Sequence, residues 1–173
     1  IRYTTGNKYR TDVKLSGGRR VFQFNQENPI EPLQNTLSSL LFKNNFMKIY
    51  AADYANFRVS KILKSGFAFS FNAMYENRRP MENMTDFSWN NSKKRSYFPN
   101  YPTELGIANF SQHQALSFSF NLRYQPGTRY IEFPDRLINI GSRWPVFSLG
   151  YTRGVKGSFG SDIDYAKWRF SIN

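Results

Sequence analysis

The sequence predicts an all-β fold: an antiparallel transmembrane β-barrel, or a multi-strand fragment of one, with short turns and long external loops. Three observations point there. Apolar and polar residues alternate with period two in several stretches, the mark of strands with two different faces. The best stretches run to about nine to eleven residues, the length of a tilted transmembrane strand, whereas a soluble strand averages about 5–6. The polar positions are mostly Ser, Asn, Gln and Gly with an occasional Arg or Lys. Such a face suits a hydrated barrel lumen better than the water-facing side of a sandwich, which is usually richer in charge.

Taken in order, Tyr9–Leu15 and Arg19–Asn25 read as two strands joined by the turn Ser16-Gly17-Gly18. Asn25 to Asn35 is a loop carrying Pro29 and Pro32, and Leu33 to Phe42 fits either a short helix or a strand. Phe46 to Leu63 reads as one long strand with room for a bulge, its apolar face broken at Asp53. The turn Lys64-Ser65-Gly66 then makes a hairpin. The strand that follows places Phe67, Phe69, Phe71, Ala73 and Tyr75 on one face and Ala68, Ser70, Asn72, Met74 and Glu76 on the other. Arg78 to Gln112 reads as a long loop, rich in Asn, with Pro80, Pro99 and Pro102. A loop of that length is uncommon in a compact soluble domain but ordinary on the outer side of a membrane barrel. Gly66 then belongs at the periplasmic rim and Arg78–Gln112 outside the cell.

Leu116, Phe118, Phe120, Leu122 and Tyr124 alternate with Ser117, Ser119, Asn121, Arg123 and Gln125. Pro126 to Pro145 reads as a loop with a short strand at Arg129–Phe133. Val146–Thr152 alternates Phe147, Leu149 and Tyr151 against Ser148, Gly150 and Thr152, and Ala166, Trp168, Phe170 and Ile172 do so near the end. The chain opens on Ile1, and Asn173 follows directly on a strand pattern. Both ends are expected to be cuts, making residues 1–173 a single barrel segment of a larger outer-membrane protein.

Composition narrows the chemistry. The 173 residues carry 24 Lys and Arg against 12 Asp and Glu, a net charge of +12, and 18% are aromatic. Without Cys there is no disulfide, thiolate zinc site or cysteine nucleophile. One histidine, His113, rules out a multi-histidine metal centre. Its neighbours Gln112 and Gln114 suggest no triad, so it reads as a rim residue. Asp162 and Asp164 lack the calcium-loop pattern, and Glu27, Glu31 and Glu76 show no glycosidase-like pairing. Gly154, Gly157 and Gly160 with Lys156 lack the phosphate-loop pattern and read as a hairpin loop. No apolar run reaches the roughly 18 residues of a spanning helix. A non-enzymatic protein with no cofactor and no metal is expected.

The cations and aromatics have two readings. Basic pairs and runs beside 31 aromatics resemble a single-strand nucleic-acid surface, yet no RNA-recognition signature is present. In a barrel, Arg78, Arg79, Lys93, Lys94 and Arg95 are expected to contact lipopolysaccharide phosphates from the outer loop. Phe67, Phe69, Phe71, Tyr75, Phe118, Phe120, Tyr124, Phe147, Tyr151, Trp168 and Phe170 are expected to face lipid or form the interfacial girdles.

Several stretches carry a family resemblance. They are Asn28-Pro29-Ile30 followed by Asn35, Asn44-Asn45-Phe46-Met47-Lys48-Ile49-Tyr50, and Ser65-Gly66 leading to Arg78-Arg79-Pro80-Met81-Glu82-Asn83. Further on come Tyr124-Gln125-Pro126-Gly127, Pro134, Trp144-Pro145 and Gly150-Tyr151-Thr152-Arg153-Gly154, running to Asp162-Ile163-Asp164-Tyr165. In that order they resemble the DUF5686 outer-membrane barrel family of Bacteroidetes, whose members often carry a carboxypeptidase-regulatory-like domain upstream. The family looks distantly similar to Omp85-type barrels. The resemblance implies a place in the bacterial outer membrane and supplies no catalytic residue. The expected role is transport, assembly or scaffolding. Outer-membrane lipid, lipopolysaccharide and other envelope proteins are the expected partners, and no nucleic acid. The alternative is a soluble, basic, all-β module that binds nucleic acid or other polyanions.

Overall fold

Where alternation is sustained, the chain forms strands. A computed structural model describes residues 1–6, 11–63, 66–90, 96–102, 110–134 and 137–173. The described elements are β1 (Arg2–Thr5), β2 (Thr11–Gln23), α1 (Pro32–Phe42), β3 (Ile49–Ile62), β4 (Phe67–Pro80) and β5 (His113–Tyr124). After these come β6 (Arg129–Glu132), β7 (Leu137–Gly141), β8 (Phe147–Gly154), a 3₁₀ turn at Ser158–Gly160, and β9 (Tyr165–Ile172). A seven-stranded sheet runs in the order β1-β2-β3-β4-β5-β8-β9, and β6 with β7 makes a separate two-stranded ribbon. The pairings of β1 with β2, β5 with β8, β6 with β7 and β8 with β9 are all antiparallel. The fold is therefore all-β and antiparallel, with one helix. Among the described residues β1 and β9 are the two ends of the sheet order, and no ladder joins them.

Contacts divide the chain into two units. One holds Ile1–Gly18, Tyr54–Glu76 and Gln114–Asn173; the other holds Arg19–Asp53 and Asn77–His113.

Sequence and structure part at three places, and at a fourth the structure decides between two readings. The expected turn at Ser16-Gly17-Gly18 does not form, because β2 runs straight through it. The glycines serve a close approach instead: a Cβ on Gly17 would lie 3.0 Å from the backbone oxygen of Tyr54. Leu33–Phe42 resolves as helix. Pro32 sits in its first turn, and Lys43 stops it in the left-handed conformation (φ 57°). β4 continues through Arg78 and Arg79 to Pro80, so these two arginines belong to a strand and not to the loop. Finally, β1 and β7 lie where the sequence reading had placed no strand.

The Lys64-Ser65-Gly66 hairpin lies partly outside the described residues. Its closing bond, from Leu63 N–H to Phe67 O at 2.8 Å, is present. Gly66 has φ 81°, and a Cβ there would collide with the carbonyl oxygen of Gln125.

The helix-bearing unit has a small aromatic core. Tyr50 is 2% exposed and Ala52 and Phe110 are buried beside it, with Phe22, Phe24 and Tyr101 packed around them. The Tyr50 ring lies 4.9 Å from Phe24, 5.8 Å from Phe22 and 6.1 Å from Phe110. Edge and offset pairs of this kind add about 0.5–1.5 kcal/mol each beyond area burial. Gln26 Nε2 donates to the Tyr50 hydroxyl at 2.9 Å, and the Arg78 guanidinium lies 5.1 Å over the ring.

α1 is tied down by a buried amide. Asn35 Oδ1 accepts from Phe46 N–H (2.9 Å) and Met47 N–H (2.8 Å), while its Nδ2 donates to Asn45 Oδ1. Asn45 Nδ2 in turn donates to Asn100 Oδ1 at 2.6 Å. Leu33, Leu37 and Leu41, at four-residue spacing on the helix, stay exposed. No helix among the described residues is long and apolar enough to cross a membrane.

Candidate functional site

The other unit contains the most consistent feature of the molecule, a sheet with two chemically opposite faces. Cross-strand register assigns each residue to a face. Phe118 sits opposite Arg153, Phe120 opposite Tyr151, Leu122 opposite Leu149 and Tyr124 opposite Phe147. On the next strand Phe147 meets Ile172, Leu149 meets Phe170, Tyr151 meets Trp168 and Arg153 meets Ala166. Apart from Arg153, whose guanidinium pairs with Asp164 at 2.7 Å, this face is apolar. β4 extends it: Phe67 stacks on Tyr124 at 4.1 Å and Phe71 on Phe118 at 6.2 Å. Tyr151 and Trp168 lie 4.3 Å apart. Strand parity adds Phe69 and Tyr75. All eleven aromatics singled out in the sequence thus share one face.

Little protein covers that face toward its β9 end. Trp168 is 66% exposed, Phe170 65% and Ile172 56%. Phe120 and Leu149 are exposed as well.

The opposite face is polar. Ser117, Ser119, Asn121 and Arg123 of β5 face Gly154, Thr152, Gly150 and Ser148 of β8. These face Tyr165, Lys167, Arg169 and Ser171 of β9. Ser119 and Thr152 hydroxyls hydrogen-bond at 3.1 Å, and Arg58 Nε donates to Asn72 Oδ1 at 3.3 Å. Two glycines shape this surface. A Cβ on Gly150 would lie 3.0 Å from Asn121 Oδ1 and 3.6 Å from Arg169 Cβ, so the missing side chain lets both neighbours lean over it. Gly154 lies under the Tyr165 ring, 2.6 Å from where a Cβ would be. A cleft of about 520 Å³ opens here, lined among others by Ser70, Asn121, Arg123, Ser148, Arg169 and Ser171.

Of the charges expected to contact lipopolysaccharide, Arg78 and Arg79 lie within the described residues. Arg78 and Arg79 are strand residues, and both have protein partners. Arg79 is ion-paired with Asp53, which also binds Arg19 at 2.9 Å, while Arg78 covers Tyr50. Lys93, Lys94 and Arg95 lie outside the described residues. Asp53, the residue that broke the apolar face of its strand, is thereby explained as the shared counter-ion of two arginines. The signal in the sequence was the one carboxylate of its strand, on a face that is otherwise apolar up to Lys61, with arginine pairs at Arg19-Arg20 and Arg78-Arg79 to match it.

The remaining titratable candidates have local partners. His113 Nδ1 is 3.0 Å from Ser111 O, and its ring stands edge-on to Phe110. Asp162 accepts from Gln114 N–H at 3.1 Å, and Asp164 pairs with Arg153. They occupy the connection before β9, not a strand face. Among the described residues no group of three or more His, Asp or Glu is gathered as a metal site would need. Sequence reasoning had passed over Arg123 and Arg169. Arg123 was visible as the cation that follows Ser117, Ser119 and Asn121 on one face of β5, and Arg169 as one of two cations, with Lys167, on the polar face of β9.

No curated protein matches the chain, and no solved structure does. A family model described as "Family of unknown function (DUF5686) C-terminal domain" matches residues 1–173. Its span takes in every strand of the two-faced sheet together with the helix-bearing unit, and the chain belongs to the DUF5686 family as its C-terminal domain.

Proposed function

We propose that the chain is a strand-built segment of an outer-membrane β-barrel, non-enzymatic, acting in transport, assembly or scaffolding. Its partners on this reading are outer-membrane lipid and lipopolysaccharide. One observation carries it: the apolar face of β5, β8 and β9 is open at Trp168, Phe170 and Ile172 and is backed by a polar, glycine-thinned face. In water an apolar patch of this kind is a liability or an interaction surface. In a bilayer it is the lipid-facing half of a strand whose other half lines a hydrated lumen. β2, β3, β4 and β5 have 13, 14, 14 and 12 residues, at or beyond the roughly 9–11 that span a bilayer, while β8 and β9 have 8 each.

The test is heat-modifiability of the protein extracted from membranes, with circular dichroism in detergent. A faster-migrating unboiled band with a β spectrum is the expected result. A chain that stays in the aqueous fraction without such a shift refutes the reading. Contact of Arg78, Arg79, Lys93, Lys94 and Arg95 with lipopolysaccharide belongs to the same proposal. Lipopolysaccharide that co-purifies unchanged after all five are neutralised counts against it.

A further inference from the structure

We infer, resting on the outer-membrane reading, that the base of the β6–β7 ribbon holds the phosphodiester group of an anionic glycerophospholipid. The ribbon is the excursion between β5 and β8, whose ladder ends at Tyr124 and Phe147, two aromatics of the apolar face. Gln125 N–H donates to Gly66 O at 3.0 Å, so the ribbon leaves the sheet at the same end as the Gly66 turn. On the proposed orientation that end is the periplasmic rim, on the leaflet opposite the lipopolysaccharide. Side-chain bonds fold the excursion back on itself at its base. Ser142 Oγ donates to Pro126 O and accepts from Trp144 N–H at 3.1 Å, and Gln125 Nε2 donates to Trp144 O at 3.3 Å. Gly127, with φ 61°, leaves room for the indole: Trp144 Cδ1 lies 3.3 Å from where a Cβ would be.

A cleft of about 550 Å³ results, lined by Arg129, Arg143, Trp144, Ser142, Ile140 and two glycines, with no acidic residue among them. Among the described residues neither Arg129 nor Arg143 has an ion pair or a hydrogen bond. Glu132 stands opposite Leu137 at the far end of the ribbon and has a partner of its own, and Asp135 lies outside the described residues. Each guanidinium offers a phosphodiester two parallel N–H donors. The surroundings favour a lipid over a soluble phosphate. Ile131 and Ile138 are cross-strand partners, Ile140 follows Ile138 on the same face, and all three are exposed. Trp144 is exposed too, with its indole edge on the cleft. An apolar ribbon face beside an exposed tryptophan and two cations is the make-up of a segment lying at a membrane surface: isoleucines among the acyl chains, the indole at headgroup level, the guanidiniums on phosphate. A soluble phosphate would engage the cations and leave the isoleucines in water.

The experiment titrates dioleoyl phosphatidylglycerol into the full chain folded in neutral detergent micelles and counts the retained lipid by native mass spectrometry. Saturable retention is expected, weakened about fivefold in R129Q and about as much in R143Q, the effect of one cation at an anionic lipid surface. R2Q removes the same charge from an exposed pair with Asp12 and is expected to retain lipid as the parent does. Equal weakening in R2Q, or unchanged retention in both R129Q and R143Q, overturns the site. Inorganic phosphate is expected not to displace the lipid; displacement overturns the choice of a lipid over a soluble ion. Lipopolysaccharide that co-purifies with the chain is expected to be unchanged in R129Q and R143Q, and its loss overturns the choice of phospholipid. The gel shift of the unboiled protein is followed in the same samples. A shifted band in a chain that retains no phosphatidylglycerol overturns the site and leaves the barrel reading. A chain that needs no detergent, yet binds phosphatidylglycerol vesicles through Arg129 and Arg143, sinks the spanning strands and leaves the site standing.

Discussion

Replacing Phe170 by arginine separates a strand that faces lipid from one that faces water. Phe170 is 65% exposed, so the protein covers about a third of it. Full burial of such a side chain stabilises by about 1.5–3 kcal/mol, so the covered third contributes roughly 0.5–1 kcal/mol. If the face meets water, that is the whole loss, since the guanidinium is solvated where the ring was. If it meets hydrocarbon, a cation on the lipid side adds about 2–4 kcal/mol near the midplane and about 0–1 near the interfaces. The internal control is Ser171→Arg, one residue along β9 and therefore on the opposite face, in register with Ser148. It is expected to change stability by no more than about 0.5 kcal/mol. The assay is denaturant unfolding of the protein folded into phospholipid vesicles, followed by tryptophan fluorescence and by the gel shift. Moving the arginine to positions 168 and 172 scans depth, since two residues advance about 6.6 Å along a strand. A loss below about 1 kcal/mol at all three positions, or one matching Ser171→Arg, refutes the lipid-facing assignment.

Three further expectations concern the helix-bearing unit. Tyr50→Phe removes the hydroxyl that Gln26 donates to and should cost about 1 kcal/mol, while Tyr50→Ala, which empties the aromatic core, should cost about 3–5 kcal/mol; equal losses in the two unfolding curves would contradict this division. Asn35→Ala strands the Phe46 and Met47 N–H groups and should cost about 2–4 kcal/mol, with faster hydrogen exchange at those two amides as its signature. Asp53→Asn leaves Arg19 and Arg79 facing each other without their counter-ion. It should lower the unfolding midpoint at low ionic strength, with the gap from the parent closing as salt is raised, because exposed charges are screened.

Much of the sheet was legible because alternation is enforced twice, once by each face. A residue slip on β5 or β9 would exchange Phe for Ser all along the strand, so the pattern and the register agree. The missed strands lacked that redundancy: β1 and β7 have four and five residues and show too few alternations to stand out. Gly17-Gly18 misled because paired glycines usually mark turns, whereas here they admit the backbone of β3. Arg78 and Arg79 looked like loop residues beside Pro80, and their strand placement depends on Asp53, distant in sequence. The Asn35–Asn45–Asn100 network was invisible for a similar reason. Asparagine is common in loops, and only the fold reveals that three of them complete one another's hydrogen bonds. The cleft on the polar face draws on β3, β4, β5, β8 and β9 together, so no single segment announces it.

The position of β9 at the end of the sheet order constrains how such a sheet can enter a membrane. An antiparallel strand directs the N–H and C=O of alternate residues toward one neighbour and those between toward the other. Half of the eight residues of β9 therefore bond to β8, and among the described residues no strand pairs with the donors and acceptors that the other half present on the far side. Water satisfies them at little cost. In hydrocarbon each would cost several kcal/mol. The side chains of Trp168 and Phe170 favour transfer into lipid while the backbone beneath them opposes it. In a bilayer the two tendencies would be reconciled by another strand docking along that edge.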